Sequence, residues 1–280
     1  MVKISLKKRI LSIGGGAFIL AVLSALFYLI STDDYTDAKF RTMQDRFSSV
    51  EKIDLTGLRE LQVSGGPMIN FPDLNERLNP LNKKIIILDG MRENHGYINS
   101  IATTFLGYHR HKLSPRYFIR RLLFTGTTQP LRQLTTSEIE MARKYGFDYK
   151  NIKIDSRILT PNASVDEFVA YFDQLPENVW VHFHCRHGKG RTSMMLAMYD
   201  IMRNAPKVAL TDILKRQHLL GSVDLTNTIA WQTKKKGKYT SETLKRRKKF
   251  IEDFYAFICQ RKAGGIQRWS EWNGARQQKL

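Results

Sequence analysis

The apolar run Val179-Trp180-Val181-His182-Phe183 leads directly into His184-Cys185-Arg186-His187-Gly188-Lys189-Gly190-Arg191-Thr192, and a helical pattern follows from Thr192 to Met202. A buried strand, a tight loop with two glycines and a helix, in that order, leave few folds open. They turn successive backbone N–H groups toward one point at a helix N-terminus, where an anion is held. Cys185 stands at the bottom of that cradle. A thiol among N–H donors and cations loses its proton below the usual value of about 8.5 and attacks as the thiolate. Arg191 offers a planar fork for two phosphate oxygens and for the charge that spreads in a transition state. Gly188 and Gly190 allow a close backbone approach, and Thr192 is placed to donate to the sulfur. A Cys and an Arg six apart also arise by chance, and a free buried Cys is usually a small hydrophobe. The strand, the glycines and the helix together favour a phosphate-binding loop.

Strand patterns recur at 58–63, 84–88, 150–154 and 179–183, and helical patterns at 136–145, 165–174, 192–203, 208–220 and 242–261. Strands alternating with helices predict an α/β fold with a central, largely parallel sheet flanked by helices. Met194, Met195, Met198 and Met202 read as helix core, not as a cofactor site. The two cysteines, Cys185 and Cys259, exclude a disulfide framework and a Cys-based zinc site. Cys259 falls beside the apolar face of Leu244, Ile251, Phe254 and Ile258 and reads as packing. Thiolate chemistry needs no metal, and no nucleotide motif is present, so no cofactor is expected.

Residues 10–30 are 21 positions without a charge, long enough to cross a hydrocarbon core of ~30 Å as a helix. Lys3, Lys7, Lys8 and Arg9 precede them, and Asp33, Asp34 and Asp37 follow. Basic residues stay inside, so a single-pass anchor would leave the catalytic domain outside the cytoplasm. A cleaved signal, giving a secreted or periplasmic protein, is the alternative. It is disfavoured because residues 26–30 offer no small-x-small cleavage site. The chain thus divides into a basic tip at 1–9, the anchor or signal at 10–30, a linker at 31–50 and a domain carrying the Cys185 loop at 51–280.

Phosphoryl transfer also needs a group that protonates the leaving oxygen. The short strand at 150–154 ends at Asp155, and a loop bearing Pro161 leads to a helix with the capping pair Ser164 and Glu167. Asp155 on that loop is the candidate acid, with a simple turn residue as the alternative.

At His184, Cys185, Arg191 and Thr192 the chain resembles the cysteine-dependent protein tyrosine phosphatase superfamily, whose signature is His-Cys, five variable residues, Arg and Ser or Thr. Other segments are similar to bacterial cysteine phytases, the protein tyrosine phosphatase-like inositol polyphosphatases. These are Leu88-Asp89-Gly90-Met91-Arg92-Glu93-Asn94-His95-Gly96, the stretch from Leu58 to Gly65, the strand before Cys185, and Trp269-Ser270-Glu271-Trp272. The similarity spans residues 55–275. It implies a cysteinyl-phosphate intermediate, Cys185 as nucleophile, Arg191 as phosphate clamp and Asp155 as acid. His95 matches a family histidine and reads either as a substrate contact or as a hydrogen-bonded loop residue. Two departures stand out: Ser156 replaces the family's histidine after the acid, and the arginine at Arg92 is one position late.

The formal net charge of +19 invites a nucleic-acid reading, but no zinc finger, helix-turn-helix or RNA-binding motif accompanies it. Lys234-Lys235-Lys236, Lys238 and the run Lys245 to Lys249 carry much of the excess. A surface that gathers polyphosphate or anionic lipid accounts for the charge. Arg186, His187 and Lys189 would rim the pocket. The backbone from Arg186 through Gly188 and Gly190 would bind the phosphoryl oxygens. The resemblance to the phytases, which place a substrate lysine near the basic segment, implies Lys236 or Lys238 as a further substrate contact. The expected substrate is an inositol polyphosphate or a phosphoinositide headgroup. A protein tyrosine phosphatase and a non-catalytic polyphosphate-binding membrane module remain as alternatives.

Overall fold

The computed structural model describes residues 15–26, 40–68, 70–92, 95–98, 101–103, 119, 122, 126–127, 136–156, 160–230 and 239–278. A five-stranded sheet in the order β1-β2-β7-β3-β6 is built from β1 (Arg41–Thr42), β2 (Val63–Pro67), β3 (Lys84–Asp89), β6 (Asp148–Asn151) and β7 (Val179–Cys185). Between them in sequence, β4 (Gly96–Ile98) and β5 (Ile101–Thr103) form an antiparallel pair. The four longer strands run parallel and only β1 is antiparallel, as the alternating pattern predicts. All seven residues of β7 are buried, which is why it reads as an apolar run and not as an alternation.

The domain's helices are α1 (Phe71–Leu78), α2 (Glu138–Lys144), α3 (Asn162–Asp173), α4 (Gly190–Asn204), α5 (Leu210–Leu219), α6 (Ser241–Lys262) and α7 (Trp269–Gln277). The pleat divides the sheet's side chains between two cores. Ile86, Leu88, Val181 and Phe183 face Phe168 and Phe172 of α3 and the methionines of α4. Ile85, Ile87 and Trp180 face Phe71, Leu74 and Met141. Thr192 to Met202 are all buried, so the Met-rich stretch is helix core. Cys259 is a free cysteine packed against the first core.

Several boundaries differ from the sequence pattern. Residues 59–61 form a tight turn, Gln62 takes a left-handed φ of 51°, and the strand begins only at Val63. Gly65 lies inside that strand because a Cβ there would stand 2.7 Å from Leu196 and 2.8 Å from Thr192. The helix at Ser164 begins two residues earlier, at Asn162, so Ser164 and Glu167 are helical residues and not its cap. A capping box does occur at Ser137 and Glu140, where it opens α2. Arg41–Thr42, within the segment that reads as a linker, pairs with β2. The expected span at 10–30 lies partly outside the described residues: 15–26 are helical and exposed. Among the described residues, no helix is long and apolar enough to cross a membrane.

Candidate active site

The register of β7 sets the level of the site. Pro67 of β2 is opposite Cys185, and Asp89 of β3 is opposite His184. The chain leaves β7 at Cys185, turns through 186–189 and enters α4 at Gly190. Met68 N–H donates to the Cys185 carbonyl at 2.9 Å, and Gly188 N–H donates to it at 3.3 Å, which folds the loop back over the sheet. Gly188 has φ +62°, and a Cβ there would stand 2.5 Å from the Pro67 nitrogen, so turn and packing both demand glycine. A Cβ on Gly190 would stand 2.5 Å from the Ser156 hydroxyl. The segment carrying Asp155 therefore borders the loop directly.

The Cys185 side chain is buried. The Thr192 hydroxyl lies 3.1 Å from its sulfur and 3.3 Å from the Gly66 carbonyl. Burial alone would push the thiol up. The charge of Arg191, the hydroxyl and N–H of Thr192 and the N–H of His187 outweigh it, and the thiol falls below its ordinary value. A buried thiol whose ionisation is favoured by hydrogen bonds and a neighbouring guanidinium has the setting of a nucleophile.

Asp155 is 6 % exposed. Its backbone is clasped by Thr160, whose hydroxyl accepts from Asp155 N–H at 3.2 Å and lies 3.1 Å from the Asp155 carbonyl. Arg92 donates to its carboxylate oxygen at 3.1 Å. Arg191 is partly exposed beside the sulfur, Arg186 is half-buried, and His187 and Lys189 are exposed at the rim. Burial, then repulsion from Arg191, lowers the Arg186 guanidinium below its usual range. Lys236 and Lys238 lie outside the described residues. From the run Lys245 to Lys249, Arg246 and Lys249 line a cavity of about 260 Å³ together with Thr160, Phe250, Trp269 and Arg276.

Sequence reasoning missed Arg41. It is fully buried and donates to the Gly188 carbonyl at 3.0 Å, to the Ser193 hydroxyl at 3.2 Å and to the Ser222 hydroxyl at 3.1 Å. Burial pushes its guanidinium down to about 10, and the negative sulfur of Cys185 pulls it back up. Nothing in the polar sequence around the two-residue β1 distinguishes this arginine.

A buried polar cluster backs the strand that carries Cys185. Glu138 Oε1 is 2.9 Å from His184 Nε2, and Glu138 Oε2 is 2.6 Å from His95 Nε2, which also lies 3.3 Å from Asp89. Tyr97 donates to Glu138, and Tyr149 and Asn151 donate to Asp89. Burial works against charge on both histidines. Hydrogen bonds and charge from Asp89 and Glu138 nevertheless raise His95 well above its ordinary value, and Glu138 followed by Asp89 raises His184. Burial likewise opposes the Glu138 carboxylate, yet His184 and then His95 hold it below the usual range. Two residues along β7 the balance reverses: with Ser64 as its partner, His182 is driven down to about 3, chiefly by burial and then by His184. His95 thus has the geometry of the hydrogen-bonded alternative. Asp89, Glu138 and His184 also lie close enough together to hold a metal ion. Their oxygens are already taken by His95, Tyr97, Tyr149, Asn151 and the Met91 N–H.

A family model for protein tyrosine phosphatase-like phytases, described by the words inositol hexakisphosphate, matches residues 122–203. The uncharacterized protein AvrBs1.1 of Xanthomonas campestris pv. campestris is 35 % identical over 95 residues, which are 33 % of this chain and 86 % of that protein. Among solved structures, the tandemly repeated protein tyrosine phosphatase-like phytase of Mitsuokella multacida superposes with a TM-score of 0.70 at 26 % identity. The match covers 88 % of this chain and 48 % of that one, so the chain spans about half the length of the Mitsuokella protein. A protein tyrosine phosphatase-like phytase of Bdellovibrio bacteriovorus superposes with a TM-score of 0.61 at 28 % identity, covering 86 % of this chain and 92 % of that one.

Proposed function

The chain belongs to the protein tyrosine phosphatase-like phytase family, and from that premise we propose that it is a cysteine phosphomonoesterase acting on inositol polyphosphates or phosphoinositides. One observation carries the reading. The Cys185 thiol is lowered by Arg191 and Thr192 at the start of α4, beside the loop that holds a buried carboxyl at Asp155. The Cys185 thiolate attacks phosphorus, an S–P bond forms as the P–O bond breaks, and Asp155 gives its proton to the leaving oxygen. Water then attacks the cysteinyl phosphate, Asp155 takes a proton from it, and inorganic phosphate leaves as the thiolate is restored. Arg191 and the N–H groups of the loop hold the equatorial oxygens through both steps.

Arg186, His187 and Lys189 add three basic side chains around the mouth. They favour a ligand with several phosphates over a phosphotyrosine peptide. Residues 10–30 are proposed as a single-pass anchor ahead of the phosphatase domain, with that domain outside the cytoplasm. The uncharged run and the basic flank before it support this. Retention of the full chain in the membrane pellet after alkaline carbonate extraction is expected; release into the supernatant would count against the anchor.

The test is phosphate release from inositol hexakisphosphate, phosphoinositide vesicles and a phosphotyrosine peptide. Cys185→Ser is expected to abolish release, and Asp155→Asn to lower it by about 10²–10⁴. Release from the phosphopeptide alone would make the protein a tyrosine phosphatase. Tight polyphosphate binding without turnover would make it a binding module.

A further inference from the structure

We propose that Arg92 determines specificity by holding the Asp155 carboxylate in the resting protein and leaving it for a second phosphate of a polyphosphorylated substrate. The inference rests on Asp155 being the general acid, as argued above. The two side chains are unequal. Asp155 is 6 % exposed and Arg92 46 %, with Arg92 Nη1 3.1 Å from Asp155 Oδ2. The carboxylate is thus inside the protein, and its partner reaches in from solvent.

The root of Arg92 is fixed. Met91 N–H donates to Asp89 at 2.7 Å, and Asn151 donates to the Met91 carbonyl at 3.1 Å. Met91 itself is buried in the second core. A hydrophobe occupies the inward position of this segment, and the arginine next to it takes the outward one.

A cation against a carboxylate favours its ionised form, whereas a general acid has to carry a proton when the leaving oxygen departs. The observed pair is therefore not the arrangement in which the first chemical step runs. Arg92 has to leave Asp155, and it leaves only for a partner of similar worth. A phosphate is such a partner, because the guanidinium fork matches phosphate as well as carboxylate. With Arg92 drawn away, one cation fewer favours the ionised carboxylate, and the protonated form that the leaving oxygen needs becomes easier to reach. After hydrolysis and product release, Arg92 returns to it. A substrate with one phosphate spends that phosphate on Arg191 and the loop and has nothing to offer Arg92. A ligand shifts such an equilibrium only through its unequal interaction with the two states, and the second phosphate supplies that inequality.

The experiment measures kcat/KM of the full chain on inositol hexakisphosphate and on inositol monophosphate, for the parent protein, Arg92→Met and Arg92→Lys. In Arg92→Met the hexakisphosphate value is expected to fall about tenfold to hundredfold, the span of one charge-assisted hydrogen bond, while the monophosphate value rises. Arg92→Lys is expected to restore part of the preference. Turnover of p-nitrophenyl phosphate, whose leaving group needs little protonation, reports whether the Cys185 loop is intact; if Arg92→Met has lost it, Arg92→Gln is read instead. An equal fall on both inositol substrates, or a fall on the monophosphate, overturns the proposal. Full hexakisphosphate activity in Asp155→Asn would instead remove the acid reading on which it rests.

Discussion

Behind the Cys185 loop, Arg41 is fully buried and each of its three bonding nitrogens has an oxygen to meet: the Gly188 carbonyl, the Ser193 hydroxyl and the Ser222 hydroxyl. In front of the loop, Arg186 is half-buried, and His187 and Lys189 stand in solvent. Both sides are basic, but only the rear has been taken out of water. A desolvated cation is useful when every donor is matched, and its loss strands the partners left behind. A solvated cation is worth little by itself, is screened by salt and adapts to ligands of different shape. On the proposed function, the rear would fix where the phosphate sits, and the front would bias which phosphates arrive.

That contrast is tested most severely at Glu138. Glu138→Gln removes one of the two buried carboxylates that face His95 and His184, leaving Asp89 as the other, and a loss of about 3–5 kcal/mol in unfolding free energy is expected by denaturant titration. The pH dependence has a defined sign. Glu138 lies below the ordinary carboxylate value of about 4.5 in the fold, so its contribution is complete above about 4.5 and fades as the pH falls further. His95 lies above 6.5, so its contribution is complete below about 6.5 and fades as the pH rises. Thermal stability of the parent is expected to gain most from this cluster between those two values, and Glu138→Gln should flatten that part of the curve.

Arg41→Met is the next step down. It withdraws the donors that fix Gly188 and Ser193 without touching the front, and a shift of about 1 Å in the loop is enough to cost about 10² in kcat. KM should change little. A variant that raised KM alone would move Arg41 to the substrate side of the comparison. The smallest effect belongs to the front: Lys189→Ala is expected to lower kcat/KM on inositol hexakisphosphate about threefold at low salt, with the difference closing near 1 M salt. A loss that persists at high salt would show that Lys189 works as a desolvated group.

The Cys185 loop was legible because its signals are local: an apolar run, glycines where the backbone turns tightly, and a helix directly after. Even there a neighbour was needed to explain Gly190, which is small because Ser156 packs against it. Strand β2 was misplaced by several residues. Leu58 and Leu61 are buried and mimic a strand pattern, while the left-handed Gln62 that separates them from the true strand leaves no compositional trace. Glu138 reads as an ordinary acidic residue in the first turn of α2, favourable there beside the helix dipole. Nothing nearby in the sequence announces His184 and His95 as its partners. Arg92 stands out in the sequence as a displaced arginine, but its bond to Asp155 crosses 63 positions of the chain.

Residue order alone determined the alternation of strands and helices, the strand-loop-helix that presents Cys185, and the presence of Arg191 and Thr192 beside it. These follow from backbone geometry and side-chain periodicity, which act over a few residues. Only the tertiary structure decided that Arg41 buttresses the loop, that His184 is shifted toward its charged form and His182 toward its neutral one, and that Arg92 reaches Asp155. Each depends on which groups meet through space and on how much water is excluded where they meet, and no short-range pattern encodes either.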